Sequence, residues 1–245
     1  MNKSLLALAA ATVITAFPVV SQAEDNPLSF NVSLASDYRY RGISQTRLKP
    51  ALQGGADYAL PNGFYVGTWA STIKWIKDFG GDASVEWDLY GGYKGEIRKD
   101  LGYDVGVLAY VYPSNALNPS ANTTEIYGAL TFGPATLKYS HSVTNLFGFI
   151  DSKNSGYLEL NASFDVGGGL TFAPHLGYQK VAKNSDFSYT DYSLTVSKDV
   201  SGFILSAAIV GAETKDILGF PAYTSPANLK DMGKAGLVLA VKKTF

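Results

Sequence analysis

From Leu28 to Arg41 the chain alternates so regularly that its two faces share almost no chemistry. Leu28, Phe30, Val32, Leu34, Tyr38 and Tyr40 fall on one side of an extended chain, and Ser29, Asn31, Ser33, Asp37, Arg39 and Arg41 on the other. A period of two predicts a strand, here one longer than the usual five or six residues. Its apolar face is continuous and its other face carries ions. Such a strand suits the wall of a transmembrane barrel, whose outside meets lipid and whose lumen meets water.

The start of the chain predicts export. Lys3 forms a short positive region, Leu5 to Val20 is apolar, and Ser21-Gln22-Ala23 places small residues where a signal peptidase reads. This predicts a signal peptide over 1–23, cleaved after Ala23, and a mature domain over 24–245. Beyond it no apolar run approaches the ~20 residues of a spanning helix. Yet 46% of the residues are hydrophobic and only 17% charged, fewer charges than the roughly one quarter usual in soluble domains. Apolar residues set two apart, rather than in blocks, reconcile the two observations. The absence of cysteine excludes disulfides and thiolate metal sites. A net charge of −1 gives a nucleic-acid partner no electrostatic support.

Alternation bounded by turn residues predicts about twelve strands in one antiparallel up-and-down barrel. They lie near 28–42, 50–60, 63–74, 83–94, 101–112, 123–133, 135–145, 156–166, 169–179, 188–198, 202–213 and 235–245. Connectors after the even-numbered strands are short: Pro61-Asn62-Gly63, Gly133-Pro134, Gly167-Gly168-Gly169 and Asp199 to Gly202, with Gly95 to Asp100 slightly longer. Those after the odd-numbered strands, such as Ile43 to Lys49 and Thr214 to Lys234, are longer and polar. Bacterial outer-membrane barrels have short periplasmic turns and long extracellular loops, so both termini are expected in the periplasm. The last strand alternates through Leu237, Leu239 and Val241 and ends on Phe245. An aromatic C-terminus of this kind resembles the signal by which the barrel assembly machinery recognises its clients; Lys243 departs from the apolar pattern and is expected to snorkel. Tyr38, Tyr40, Trp69, Trp75, Tyr110 and Tyr112 are predicted to form an outer aromatic girdle. Tyr103, Phe132, Phe164, Phe172, Phe203 and Phe245 are predicted to form an inner one.

Charges on the lipid face would cost about 2–4 kcal/mol each near the midplane, so the ionic faces are assigned to the lumen. The candidate pore-lining residues are Asp37, Arg39, Arg41, Asp57, Glu86, Asp88, Tyr90, Asp104, Tyr110, Glu125, Tyr127, Lys138, Glu159, His175 and Asp191, with Asp165 and Lys242 on the same faces. They can neutralise one another as a structural lattice, or form a constriction in which Arg39 and Arg41 face carboxylates and sort solutes by charge. Twelve strands lie between a filled eight-stranded barrel and an open sixteen-stranded one. The expectation is a narrow pore for small polar solutes, further constricted by Tyr90, Tyr110, Tyr112 and Tyr127. A plugged barrel acting as adhesin or receptor through its outer loops is the alternative.

An outer-membrane lipid hydrolase is the rival chemistry. It needs a serine within hydrogen-bond reach of a histidine. His141 has Ser140 and Ser142 on the opposite face, and His175 has Ala173 and Gly177 as same-face neighbours; only a serine from another strand could serve. The histidines lack zinc-site spacing. Loop carboxylates Asp78, Asp82, Asp151, Asp186 and Asp216 could hold Ca²⁺ only if several converged. No cofactor is implied.

At Ser36-Asp37-Tyr38-Arg39-Tyr40-Arg41-Gly42-Ile43-Ser44-Gln45 the chain resembles the TorF-type putative porins, proteobacterial outer-membrane proteins of poorly defined function. Gly63 to Ser71, Glu86 to Tyr93, Tyr103 to Pro113, Glu125-Ile126-Tyr127 and Lys138-Tyr139-Ser140 extend the likeness over nearly the whole mature chain. The resemblance implies an outer-membrane β-barrel thought to act as a porin. It supplies no catalytic residue and no ligand.

Overall fold

The computed structural model describes residues 27–245; the expected leader and its cleavage site lie outside the described residues. Twelve strands form the wall. They are β1 (Leu28–Ala35), β2 (Ala51–Ala59), β3 (Phe64–Thr72), β4 (Val85–Arg98), β5 (Leu101–Val111) and β6 (Thr123–Phe132). They continue as β7 (Ala135–Ser142), β8 (Gly156–Ala162, resuming as Phe164–Gly167 after a break at Ser163), β9 (Leu170–Lys180), β10 (Tyr189–Val200), β11 (Phe203–Glu213) and β12 (Gly236–Thr244). Each pairs antiparallel with its neighbours in sequence, and β1 pairs with β12 over Asn31–Thr244 to Ala35–Ala240, which closes the barrel. Closure leaves no edge strand, so every wall strand has hydrogen-bonding partners on both sides.

The two faces differ as the alternation requires. On β12, Leu237 and Leu239 are exposed to the outside while Val238 is buried; on β11, Leu205 and Ile209 face out while Ser206, Ala208 and Val210 face in. Repeated around the wall, this gives an apolar outer surface far larger than the patches soluble monomers expose. Connectors at one end are tight, residues 60–63, 99–100, 133–134, 168–169 and 201–202. Those at the other end are long: 36–50, 73–84, 112–122, 143–155, 181–188 and 214–235. The fourth strand runs further than expected, through Arg98, because a bulge after Glu96 lets it continue to a tight turn.

The principal departure from expectation is in the first strand. The wall strand stops at Ala35, and residues 36–49 fold into the lumen. There Arg39–Tyr40 pairs with Ile43–Ser44 in a short hairpin. Arg41 (φ 46°) and Gly42 (φ 80°) make its turn in the left-handed region, which glycine enters without steric cost. A side chain at Gly42 would sit 2.7 Å from both Asp191 Cβ and the Gly211 carbonyl, so glycine also lets the hairpin lie against β10 and β11. The hairpin has its own period of two, which is why the alternation continues past the end of the wall.

The outer girdle is also corrected. Tyr38, Tyr110 and Tyr112 are buried inside. Trp69 packs on Tyr38, Tyr40 on Tyr110 and Trp75 on Tyr112. Their positions have inward parity, and the segment 36–49 gives them something to pack against. The aromatics on the outside near the long connectors are Trp87, Tyr139 and Tyr178. At the other end Phe132, Phe164, Phe172, Phe203 and Phe245 are exposed, as expected. Lys243 places its ammonium 4.6 Å from the centre of the Phe203 ring, a cation–π contact at the barrel rim.

Candidate functional site in the lumen

The inward segment is fastened first to itself. Asp37 accepts hydrogen bonds from Arg39 Nε (2.5 Å), Ser44 Oγ (2.6 Å) and Thr46 Oγ1 (2.9 Å). Arg39 Nη1 donates to the carbonyls of Gly42, Met232 and Lys234, which ties the hairpin to the chain entering β12. Arg41 then crosses the lumen. Its two terminal nitrogens bind Glu125 on β6 at 3.1 and 2.7 Å, and Nη1 also donates to Gln179 on β9 at 2.5 Å. Its guanidinium lies 4.0 Å from the ring centre of Tyr157 on β8 and 4.8 Å from that of Tyr40. Planar bidentate geometry and ring stacking suit arginine and not lysine. Of the two arginines expected to face wall carboxylates, only Arg41 does; Arg39 is satisfied by Asp37 of its own segment.

The remaining candidates other than Asp165 face inward, and tyrosines join them more often than opposite charges do. Glu86 accepts from Tyr38 (2.8 Å) and Tyr112 (3.1 Å). Tyr90 donates to Asp57 (2.6 Å), and Tyr65 donates to Asp104 (2.6 Å) while bonding the Tyr127 hydroxyl. Tyr40 donates to Tyr110, whose own hydroxyl reaches Glu125 at 3.4 Å. Lys138 sits 4.0 Å over the Tyr127 ring. Asp165 departs from the inward set: it is exposed at the tight-turn end and accepts from Gly167 N. Sequence reasoning missed Tyr65, Tyr157 and Gln179. Their inward parity on β3, β8 and β9 was the available signal, overshadowed by the charged residues.

Tyr90 and Tyr127 each pack against a glycine of the neighbouring strand. Tyr90 stands opposite Gly67 on β3, and a Cβ built on that glycine would meet the Tyr90 ring at 2.3 Å. Tyr127 stands opposite Gly106 and covers it in the same way. Each ring therefore lies along the wall over a residue with no side chain. Its hydroxyl bonds a residue of a nearby strand, Asp57 for Tyr90 and Tyr65 for Tyr127.

His175 is the hub of a second cluster. Nε2 is 2.8 Å from Asp191 Oδ1 and 3.1 Å from the Tyr157 hydroxyl, while Nδ1 is 2.7 Å from Asn161 Oδ1 and 3.8 Å from Glu159. A carboxylate, a phenol and an amide occupy both ring nitrogens. His141 faces outward and contacts Tyr139 and Asn154. Among the described residues, neither ring has a hydrogen bond to a serine.

Between the inward segment and the long connectors lies a cavity of 640 Å³. All six long connectors line it, through Tyr40, Trp75, Leu117, Phe147, Phe187 and Tyr223. Arg47 binds Asp78 at 2.5 Å, and Ser225 donates to the same carboxylate, which joins the first, second and last of these connectors. Asp82 and Asp186 are near Lys77 and Lys215 respectively. Among the described residues, no three carboxylates or histidines gather as a metal site.

These features define a closed twelve-stranded barrel of the porin type with an inward-folded first connector. Two solved porins share the architecture. The KdgM porin superposes with a TM-score of 0.56 at 9% identity, covering 89% of this chain and 98% of its own. The NanC porin gives 0.54 at 8% identity, with the same coverage of 89% and 98%. At such identities the likeness is one of fold. No curated protein matches the sequence. The chain belongs to the Gcw_chp family, described as bacterial proteins of unknown function, whose match spans residues 21–245. That match does not carry the narrower TorF-type likeness, which rests on the sequence motifs.

Proposed function

We propose that this protein is an outer-membrane channel for passive diffusion of small hydrophilic solutes, narrowed by the segment 36–49. The observation that carries the reading is Arg41 reaching from that segment across a polar lumen to Glu125 and Gln179. It spans the interior of a wall whose outside is apolar and whose inside is lined by charges and hydroxyls. The long connectors face the cell exterior and the tight turns the periplasm. The 640 Å³ cavity is then an outer vestibule above the constriction.

Planar-bilayer recording of the purified, refolded barrel tests this. Discrete conductance steps, small relative to sixteen-stranded porins, are the expected outcome. A wild-type barrel without steps, in a preparation that migrates faster unheated than boiled, overturns it. The second reading, a closed barrel that uses the vestibule as a receptor, is favoured by the many bonds that hold the inward segment. It predicts steps only after the segment is loosened. Phospholipid hydrolysis that is lost in His175→Ala would displace both.

A further inference from the structure

Nine aromatic rings line the cavity between the inward segment and the long connectors, and their mutual contacts fall into two runs. In the first, Phe79 meets Trp75, Trp75 meets Tyr112, and Phe147 meets both Tyr112 and Tyr40, with ring centres 5.3–6.4 Å apart. In the second, Phe149 meets Phe187, Phe187 meets Tyr223, and Tyr223 meets Tyr189, at 4.7–6.0 Å. Among the described residues no ring contact joins the runs, and both border the same space. The charge of the lining is already used. Among the described residues Asp78 is its single ionised side chain, held by Arg47 at 2.5 Å and by Ser225 at 2.8 Å. Most hydroxyls are used as well: Tyr40 donates to Tyr110, Tyr112 to Glu86, and Tyr223 to the Phe187 carbonyl. Two buried polar groups are left over. The Tyr189 hydroxyl and Gln45 Oε1 have no hydrogen-bond partner among the described residues, although Tyr189 is only 6% and Gln45 only 8% exposed. Neither atom is sealed from solvent, and both residues border the cavity.

We propose that this cavity binds a small neutral molecule built on a planar aromatic ring system, seated between the two runs. It would offer one acceptor to the Tyr189 hydroxyl and one donor to Gln45 Oε1. The volume of 640 Å³ suits such a ligand, because small-molecule pockets span roughly 300–1,000 Å³ and combine aromatic walls with a few placed polar groups. Flat rings gain offset-stacked or edge-to-face contacts with those walls. An anion would find no free cation in the lining, and a buried unpaired charge is costly. A quaternary ammonium ion is drawn to ring faces yet has no N–H for Gln45. A sugar carries a hydroxyl on nearly every carbon, and two free partners leave most of them unpaired. The site deepens the vestibule reading. Access from the cell exterior rests on that reading; binding to the purified barrel does not.

Equilibrium dialysis of 2-quinolone against the refolded full barrel in detergent tests the site, with empty micelles as the blank. The probe is planar and neutral, and its lactam offers one N–H and one carbonyl. Saturable uptake of one equivalent per barrel is expected. Tyr189→Phe is expected to bind about two- to tenfold more weakly, the range set by one neutral hydrogen bond. Phe187→Ala, which breaks the second run, is expected to bind about tenfold more weakly. Tyr178→Phe, on the outer face of the wall, is expected to bind as the wild type does. Faster migration unheated than boiled shows which variants have folded. Wild-type uptake no greater than that of empty micelles overturns the proposal, whatever the variants do. So does binding that Tyr189→Phe and Phe187→Ala both leave unchanged. Choline, maltose or 2-naphthoate bound as tightly as 2-quinolone overturns the ligand class. Saturable quinolone binding in a barrel that gives no conductance steps upholds the site and discards the channel; a barrel that conducts without binding quinolone does the reverse.

Discussion

Arg41 and Glu125 form a bidentate pair, at 3.1 and 2.7 Å, between a segment that leaves β1 and a strand nearly opposite it in the barrel. Both side chains are withdrawn from water. Breaking a buried pair from one side leaves an uncompensated charge and costs about 3–5 kcal/mol, although the intact pair need not exceed an apolar replacement in stability. Arg41→Ala is therefore expected to lower the unfolding temperature and enlarge the conductance step. Adding Glu125→Gln to it is expected to recover most of the stability while keeping the larger step. Unfolding midpoints beside single-channel records check both outcomes. A double variant no more stable than Arg41→Ala would place the cost outside the pair.

Gly42 is where the inward hairpin touches the wall. Gly42→Ala introduces a Cβ at 2.7 Å from Asp191 Cβ and the Gly211 carbonyl, on a backbone with φ 80°. The hairpin must move, because neither a wall backbone nor a Cβ yields cheaply. The expected result is faster proteolysis within residues 36–49 in the folded barrel, accompanied by larger or more frequent openings. Limited proteolysis read by mass spectrometry decides it.

Gly67 allows the Tyr90 ring to lie on the wall. Gly67→Ala pushes that ring toward the channel, since the added carbon would meet it at 2.3 Å. A smaller conductance step is expected, with the fold retained. Tyr90→Phe keeps the ring but removes its 2.6 Å bond to Asp57, at a cost of about 1–3 kcal/mol for the acceptor left behind. Bilayer recordings and unfolding curves of the two variants should separate the ring's position from its hydroxyl.

The outward face of β12 tests the membrane reading directly. Leu239 is exposed beyond half of its surface, and Leu239→Arg is expected to cost about 2–4 kcal/mol for folding into a bilayer. The same exchange would be mild for a surface facing water. Urea titration in lipid vesicles measures the difference.

Phe245 closes the seam with Phe30: each amide binds the other's carbonyl, at 3.1 and 2.8 Å. Deleting Phe245 is expected to reduce the yield of the fast-migrating folded form in cells more than in vitro, if the barrel assembly machinery also reads this residue. Equal losses in both settings would assign Phe245 a purely structural role.

Most of the wall was legible because a closed barrel imposes the same period on every strand, and ten of the strands need only shifts of a few residues at their ends. The first strand was over-read for a physical reason. Alternation reports an extended chain between two environments, and an inward hairpin is also that. Nothing in residues 36–41 distinguishes a lipid-facing Tyr38 from one that donates to Glu86. The girdle error has the same source, since an aromatic at a strand end can turn to lipid or to a plug. Likewise the pairing of Tyr90 with Gly67 depends on register between strands, which period alone leaves open.

Arg39 holds the carbonyls of Met232 and Lys234 just before β12 begins, and Ser36 exchanges hydrogen bonds with Leu239 within it. The segment that fills the lumen is thus anchored at the junction between the first and last strands. Arg39 and Ser36 take their partners from the last strand and the chain leading into it, so the inward segment has its full set of bonds only once that strand is in place. Any force that parts that junction sideways, toward the bilayer, also withdraws Arg39 from its carbonyls. A single line of contacts therefore joins the seam of the cylinder to what fills its interior.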